Sequence, residues 1–344
     1  MRTFAKAIEA QQTNNMVEEL QDYFVTKLNN LSLTFGNKKL FEAVEWERND
    51  GFHGGGIRYE SRDETVFNSA SVNISQVHYD DNNAKKLSSA TAISTIIHPL
   101  NPHAPSMHMH ISWTQMRNGK GYFRLMADLN PSLENNVFQR DFEMALERVT
   151  DTLYEEGKAQ GERYFTIPTL ERTRGVSHFY LENYFSGNFE EDLLFAKAFG
   201  KAVIDAYIGI TLQALQYHIS YTQEEREIQR DYHTLYMFQV LTLDRGTTSG
   251  LLIHNQNDIG IMGSIPRYIN KNLLDLWVEK MPIPQNKLLN SLIKVLPNEV
   301  PTPITLEVKQ KLANVVRNHY KNYPEALSLQ ASGESIPPTV TNHE

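Results

Sequence analysis

The chain has no cysteine. Disulfides, thiolate metal sites, iron–sulfur clusters and cysteine nucleophiles are therefore excluded. Positive charge is in deficit as well: 33 Lys and Arg stand against 41 Asp and Glu, a net charge of −8. Such a balance gives no general attraction to nucleic acid or to an anionic membrane, and an anionic ligand would need a local cationic pocket. Long apolar runs are missing. No stretch reaches the roughly 20 residues of a membrane span. Residues 1–30 carry Glu9, Glu18, Glu19 and Asp22 and no apolar core. They do not read as a signal peptide, and the cytoplasm is the expected compartment. Gly54-Gly55-Gly56 lacks the Lys-Ser/Thr of a phosphate loop, and no dinucleotide fingerprint, Gly-x-Ser-x-Gly elbow or His-Glu-x-x-His motif occurs. The remaining composition is ordinary for a soluble globular protein: 344 residues, 40% hydrophobic and 22% charged. That is enough for one large domain or two smaller ones.

Periodicity predicts the elements. Val17, Leu20, Phe24, Leu28 and Leu31 recur three or four apart, giving a helix over 16–31. A polar, Gly-rich stretch over 48–56 is expected as a flexible entry to a run of strands at 71–77, 91–98, 106–113 and 121–128. The cleanest alternation is Ser106–Trp113. Met107, Met109, Ile111 and Trp113 point one way; Ser106, His108, His110 and Ser112 point the other. In the next strand Arg124, Met126 and Asp128 share a face. Helices are expected over 133–156, 190–217, 270–280 and 306–320, and a strand over 177–182. His233–Leu243 is apolar on both faces, as a covered central strand would be. Residues 251–265 read as a hairpin turning at Asn255-Gln256-Asn257-Asp258. From Ala326 onward, Ser, Pro, Gly and Thr predict a loosely attached tail. Neighbouring strands with few crossover helices point to an α+β fold, a mostly antiparallel sheet covered by helices.

Candidate chemistry gathers on the polar strand faces. His108 and His110, two apart on a strand, emerge on one side. That spacing suits a shared metal ion, a proton donor or acceptor, or a hydrogen-bonded pair in a polar cavity. His98 leads into a Pro-rich turn and reads equally as a turn cap. Asp128 ends its strand and can cap the coming turn or helix. Asp244-Arg245-Gly246-Thr247 ends the apolar run, where a structural ion pair and a ligand site are both open readings.

Taken in order, these pieces resemble the oxygen-dependent coproporphyrinogen III oxidase family. The resemblance runs from Gly54-Gly55-Gly56 through Val72-Asn73-Ile74-Ser75 and Val77-His78. Its strongest piece is His98-Pro99-Leu100-Asn101-Pro102, with Pro105 and His108 after it. Asp128-Leu129-Asn130-Pro131, Arg174-Gly175-Val176, Asp244-Arg245-Gly246-Thr247 with Gly250-Leu251, and Ser264-Ile265-Pro266 continue it. The resemblance implies a large flat antiparallel sheet sandwiched between helices in a single domain, and a homodimer. It places that domain at 1–283 and leaves 284–344 as a C-terminal helical extension with a flexible tail. It also implies oxidative decarboxylation of two propionates of coproporphyrinogen III to vinyls in haem biosynthesis. Molecular oxygen is the oxidant, no organic cofactor is needed, and metal use is open. By position it implies His108 as proton donor, Asp128 and Asp244 as carboxylates for pyrrole nitrogens, and Ser94, Arg174 and Arg245 as substrate-binding residues. His98 and His108 are implied as metal ligands.

The chain departs from the family's pattern where ligand should bind. Ser112 replaces an arginine, Gly121–Met126 replaces Trp-Trp-Phe-Gly-Gly-Gly, His254-Asn255-Gln256 replaces Gly-Gly-Arg, and Glu143 and Thr169 replace two further histidines. An arginine fork binds a carboxylate bidentately and serine cannot. Arg124, on the face of Asp128, is expected to restore one cation, with His110 as a further substrate contact. The same fold with an altered ligand, a tetrapyrrole-binding or other tetrapyrrole-oxidising protein, is the alternative. A metal enzyme built on His98, His108 and His110 is the third.

Overall fold

The computed structural model describes residues 1–334 and 339–343. Seven strands form one sheet: β1 (Glu42–Glu47), β2 (Gly54–Glu60), β3 (Phe67–His78), β4 (Leu87–Pro99), β5 (Ser106–Met116), β6 (Gly121–Asn130) and β7 (Val176–Tyr184). Each strand pairs antiparallel with the next, so sheet order is chain order. The expected α+β class, a single domain with its sheet between helices, is what the chain adopts.

The alternation in β5 decides which face is which. Met107, Met109, Ile111 and Trp113 are buried under α1 (Ile8–Phe35), α2 (Asn136–Thr150) and α4 (Phe189–Tyr217). Each such side chain contributes about 1.5–3 kcal/mol relative to exposure. The polar face, with His108 and His110, turns to a second layer built around α5 (Gln223–Thr242), α6 (Arg245–Ile253), α7 (Asp258–Ile261), α8 (Lys271–Trp277), α9 (Gln285–Val295) and α10 (Leu306–Asn322). This layer has its own apolar core, drawn from both 235–281 and 288–326.

Several expectations are corrected. The run from His233 to Leu243 lies in and just beyond α5, not a strand. A helix buried on all sides is apolar all round, and a short apolar run has no period that separates the two. The expected hairpin over 251–265 is α6, short 3₁₀ turns and α7. Asp244 caps α6 by accepting from the Thr247 N–H, which commits the chain to a helix there. The expected helix over 133–156 breaks at Asp151 (φ 44°), and α3 (Tyr154–Phe165) comes next. Gly54-Gly55-Gly56 is not a loose entry but the start of β2. A Cβ at Gly56 would sit 2.6 Å from Trp46 Nε1, so glycine lets the Trp46 ring lie across the strand. The tail is docked where it is described. Pro324–Leu329 forms a 3₁₀ turn, the Ala331 N–H donates to the Leu243 carbonyl, and α11 (Thr339–Asn342) packs on α6. Residues 335–338 and 344 of the expected loose tail lie outside the described residues.

Candidate functional site

A cavity of about 310 Å³ opens between the polar sheet face and the second helical layer. Strand register builds its floor in rows. One row runs Asn73, Ser94, His110, Met126, Tyr180 across five strands. The row on one side is Ser75, Ala92, Ser112, Arg124; on the other it is Ser71, Ile96, His108 and then Asp128. Asp244, Arg245 and Tyr236 close the cavity from the helices. Of the residues nominated from sequence, Ser94, His108, His110, Arg124, Arg174, Asp244 and Arg245 line one space.

Asp128 does not line it. The carboxylate is fully buried behind His108, and its oxygens accept from His108 Nδ1 at 2.8 Å, Arg174 Nη2 at 2.8 Å and Asn130 Nδ2 at 2.6 Å. Burial alone would raise its pKa; Arg174 and His108 outweigh that and hold the group well below the usual carboxylate range. An ionised Asp128 only accepts, so His108 Nδ1 carries its hydrogen toward it. His108 Nε2 is then the nitrogen left for the cavity. Where Asp128 was expected to meet the ligand, it lies behind the lining and fixes the tautomer and orientation of His108, which lines the cavity.

Arg174 lines the cavity and is also held by protein groups. Its guanidinium is sandwiched between Phe165 and Tyr236, each 4.4 Å from ring centroid to Cζ. Nη1 donates to Gln239 Oε1 at 2.9 Å and Nη2 to Asp128. Burial disfavours the charge, but Asp128 more than compensates and raises the pKa. Its Nε, like that of Arg124, has no hydrogen-bond partner among the described residues. Arg124 is half-buried against the cavity, cross-strand from Ser112. Its buried Nε has no hydrogen-bond partner among the described residues. Burial works against its charge, yet Tyr180, Tyr122, Tyr164 and Glu182 keep it protonated.

His110 bridges two hydroxyls, Nδ1 2.6 Å from Ser94 Oγ and Nε2 3.0 Å from Ser112 Oγ. Burial first, then Arg124 and His108, push its pKa down to about 3, so it is neutral. Asp244 Oδ2 accepts from the Tyr164 hydroxyl at 2.8 Å while Oδ1 caps α6. Arg245 Nη1 lies 3.9 Å from Glu182 Oε1.

A sequence profile described as coproporphyrinogen III oxidase matches residues 12–281. The chain belongs to the coproporphyrinogen III oxidase family. It is 28% identical over 279 residues to an oxygen-dependent coproporphyrinogen-III oxidase of Rickettsia akari, covering 76% of this chain and 97% of that one. It is 28% identical over 281 residues to the mitochondrial oxygen-dependent enzyme of Rattus norvegicus, covering 74% of this chain but 61% of the rat protein. The corresponding Homo sapiens protein is 29% identical over 251 residues, and the match spans 54% of its length.

Within the family frame, the pair suggested for a metal ion does not fit one. His98 Nδ1 is taken by Ser106 Oγ at 2.8 Å and Nε2 donates to the Ser264 carbonyl at 3.0 Å. Burial pushes its pKa down to about 3. His98 ties the strand ends to the second layer, and His108 gives Nδ1 to Asp128. Among the described residues no group of three or more His, Asp or Glu is placed to hold a metal ion. No helix among them is long and apolar enough to cross a membrane. Sequence reasoning missed Tyr164, Tyr180, Tyr236, Trp46 and His343 as lining residues. Tyr180 was reachable, since period-two counting in 177–182 places it on one face. Tyr236 was hidden by reading α5 as a strand.

Proposed function

We propose that this protein oxidatively decarboxylates propionate side chains of coproporphyrinogen III to vinyl groups, with molecular oxygen as the oxidant and no organic cofactor. The observation that carries the reading is the Asp128–His108 pair set behind a cavity that also holds Asp244, Arg124 and Arg245. Each step removes CO₂ and a hydride from the methylene next to the pyrrole; O₂ takes the hydride and one proton to become H₂O₂. In this reading His108 Nε2 exchanges the proton, with its tautomer and orientation set by the carboxylate behind it. Asp244 faces the pyrrole N–H groups, whose acidity a held carboxylate can exploit. Arg124 and Arg245 take propionates, and Ser94 with His110 supplies a neutral polar floor. Arg124 beside Ser112 is a cation supplied from the neighbouring strand where the family places one on β5. Residues 1–283 are the catalytic unit, with 284–344 an extension of it, and the working form is a homodimer, to be checked by light scattering.

The test is aerobic incubation of the purified protein with coproporphyrinogen III, followed by chromatography of the oxidised products. A divinyl product is expected. Unchanged substrate with no oxygen uptake sinks the oxidase reading. A second reading, the same fold with another tetrapyrrole ligand, is favoured by Met126 and Arg124, whose side chains occupy the cavity floor. Tight binding of the porphyrinogen without turnover selects a binding protein.

A further inference from the structure

The C-terminal end of the chain forms part of the cavity, although it lies outside the stretch that matches the family, 12–281. Thr339, Asn342 and His343 stand among the lining residues, and Asn342 is buried. Among the described residues, two sets of contacts hold this end. On the β7 side, Arg163 Nε donates to the Gly333 carbonyl at 2.5 Å and the Glu334 N–H donates to Glu182 Oε2 at 3.0 Å. Gly333 sits against Tyr180, where a Cβ would come within 2.9 Å of the ring. On the β1–β4 side, Lys85 Nζ donates to the His343 carbonyl at 2.8 Å, and the Tyr79 hydroxyl lies 2.9 Å from His343 Nδ1.

The hydrogens can be assigned. Arginine only donates, and Arg48 Nη2 donates to the Tyr79 oxygen at 2.6 Å. Tyr79 therefore donates to His343 Nδ1, which makes His343 a neutral ring with its hydrogen on Nε2. The same arginine donates through Nη1 to His254 Nδ1 at 2.8 Å. His343 stands edge-on to His254, the residue that replaces a family glycine. The two sets of contacts differ in kind. Residues 330–334 adjoin packed core, with Ala331 against two apolar clusters. Among the described residues, none of 339–343 belongs to an apolar cluster; polar bonds and ring edges at His343 tie them to β3, its following turn and α6. Elements held in that way are the ones that open locally at low cost.

We propose that residues 339–343 are a lid over the ligand cavity, released at Tyr79 and Lys85 while residues 330–334 stay docked. This rests on the reading of the cavity as the tetrapyrrole site. Because the chain has no cysteine, Asn342→Cys introduces a single thiol. Its alkylation rate is to be measured in the otherwise unchanged full-length protein and with Tyr79→Phe and Lys85→Ala added, with and without coproporphyrin III. Neither anchor lines the cavity. Alkylation at least tenfold slower than in urea, a tenfold rise when the anchors are removed, and a slowing by the porphyrin support the lid. Alkylation as fast as in urea, or indifferent to the anchors, overturns it. So does a porphyrin that binds without slowing alkylation. If the porphyrin fails to bind while the thiol still answers to the anchors, the lid stands and the tetrapyrrole reading falls.

Discussion

Asp128 takes three N–H donors and no solvent, and its chemistry is set by that. An ionised carboxylate buried beside Arg174 cannot lose its charge without stranding the guanidinium. Breaking a buried pair by removing one partner costs roughly 3–5 kcal/mol. Asp128→Asn is therefore expected to lower stability by about that much, read as a fall in urea midpoint, and to cut turnover because His108 loses the acceptor that fixes its tautomer. His108→Ala should lose turnover while keeping the midpoint within about 1 kcal/mol, since its ring is partly exposed to the cavity. If the two substitutions cannot be separated in this way, Asp128 has a role beyond holding His108. Arg124 gives the second test. Losing a charge-assisted contact costs roughly 1.5–3 kcal/mol, so Arg124→Ala should weaken porphyrin binding about 10- to 100-fold; unchanged affinity removes Arg124 from the site. Much at this scale was legible in the sequence. Counting by two along β5 put His108 and His110 on one face, and counting along β6 put Arg124 and Asp128 on one face. The order of Asp128 behind His108 was not legible, because it depends on cross-strand register. Nor were the protein contacts of Arg174, whose partner Gln239 lies on a helix that reads locally as a strand.

At the scale of elements, α5 shows why local pattern misled and what would have corrected it. Leu235, Tyr236, Met237, Phe238, Val240 and Leu241 are all buried, so polarity carries no phase information there. The helix announces itself well before the misread run begins, at Thr222 and Glu225. The Thr222 hydroxyl accepts from the Glu225 N–H, and Glu225 Oε2 accepts from the Thr222 N–H at 2.7 Å. This reciprocal cap is visible as Thr-x-x-Glu in the sequence. Thr222→Ala is expected to cost about 1 kcal/mol, measured by urea unfolding, and because α5 carries Tyr236 and Gln239 it should also loosen the Arg174 sandwich. An unchanged midpoint would mean that packing alone sets the start of α5. The amphipathic elements α1, α4 and α10, by contrast, were readable, α4 and α10 to within two residues and α1 as its central part, because one face of each is apolar and the other wet. Strand β1 went unread: its residues are largely exposed, so little apolar alternation marks it.

At the scale of the whole molecule, a polar sheet face covered by a second helical layer leaves several titratable rings largely withdrawn from water. Burial is the leading cause in every case. It pushes His98 and His110 down to about 3 and His343 to about 4, and holds His233 and His254 well below their ordinary value. Unfolded, each would titrate near 6.5. As pH falls through about 6.5 the unfolded chain binds protons that the folded chain refuses, so the unfolded state is favoured. Stability is present above that pH and declines below it, each withheld proton adding about 1.4 kcal/mol per pH unit to the slope. The opposite edge comes from buried phenols. Burial, with Asp244 next, raises Tyr164 well above its ordinary value, and burial raises Tyr180 and Tyr236 as well. Above about 10 the unfolded chain releases protons that the folded chain retains, and stability falls again. A plateau between about pH 7.5 and 9.5 is expected, with a steep acid limb that runs down to about 4, where His343 begins to take up its proton in the folded state. Urea midpoints measured from pH 4 to 11 check this, and His110→Gln should flatten the acid limb by about one proton. A parent curve level through pH 6.5 would mean that these rings are protonated in the folded state, and the neutral floor assigned to the cavity would have to be abandoned.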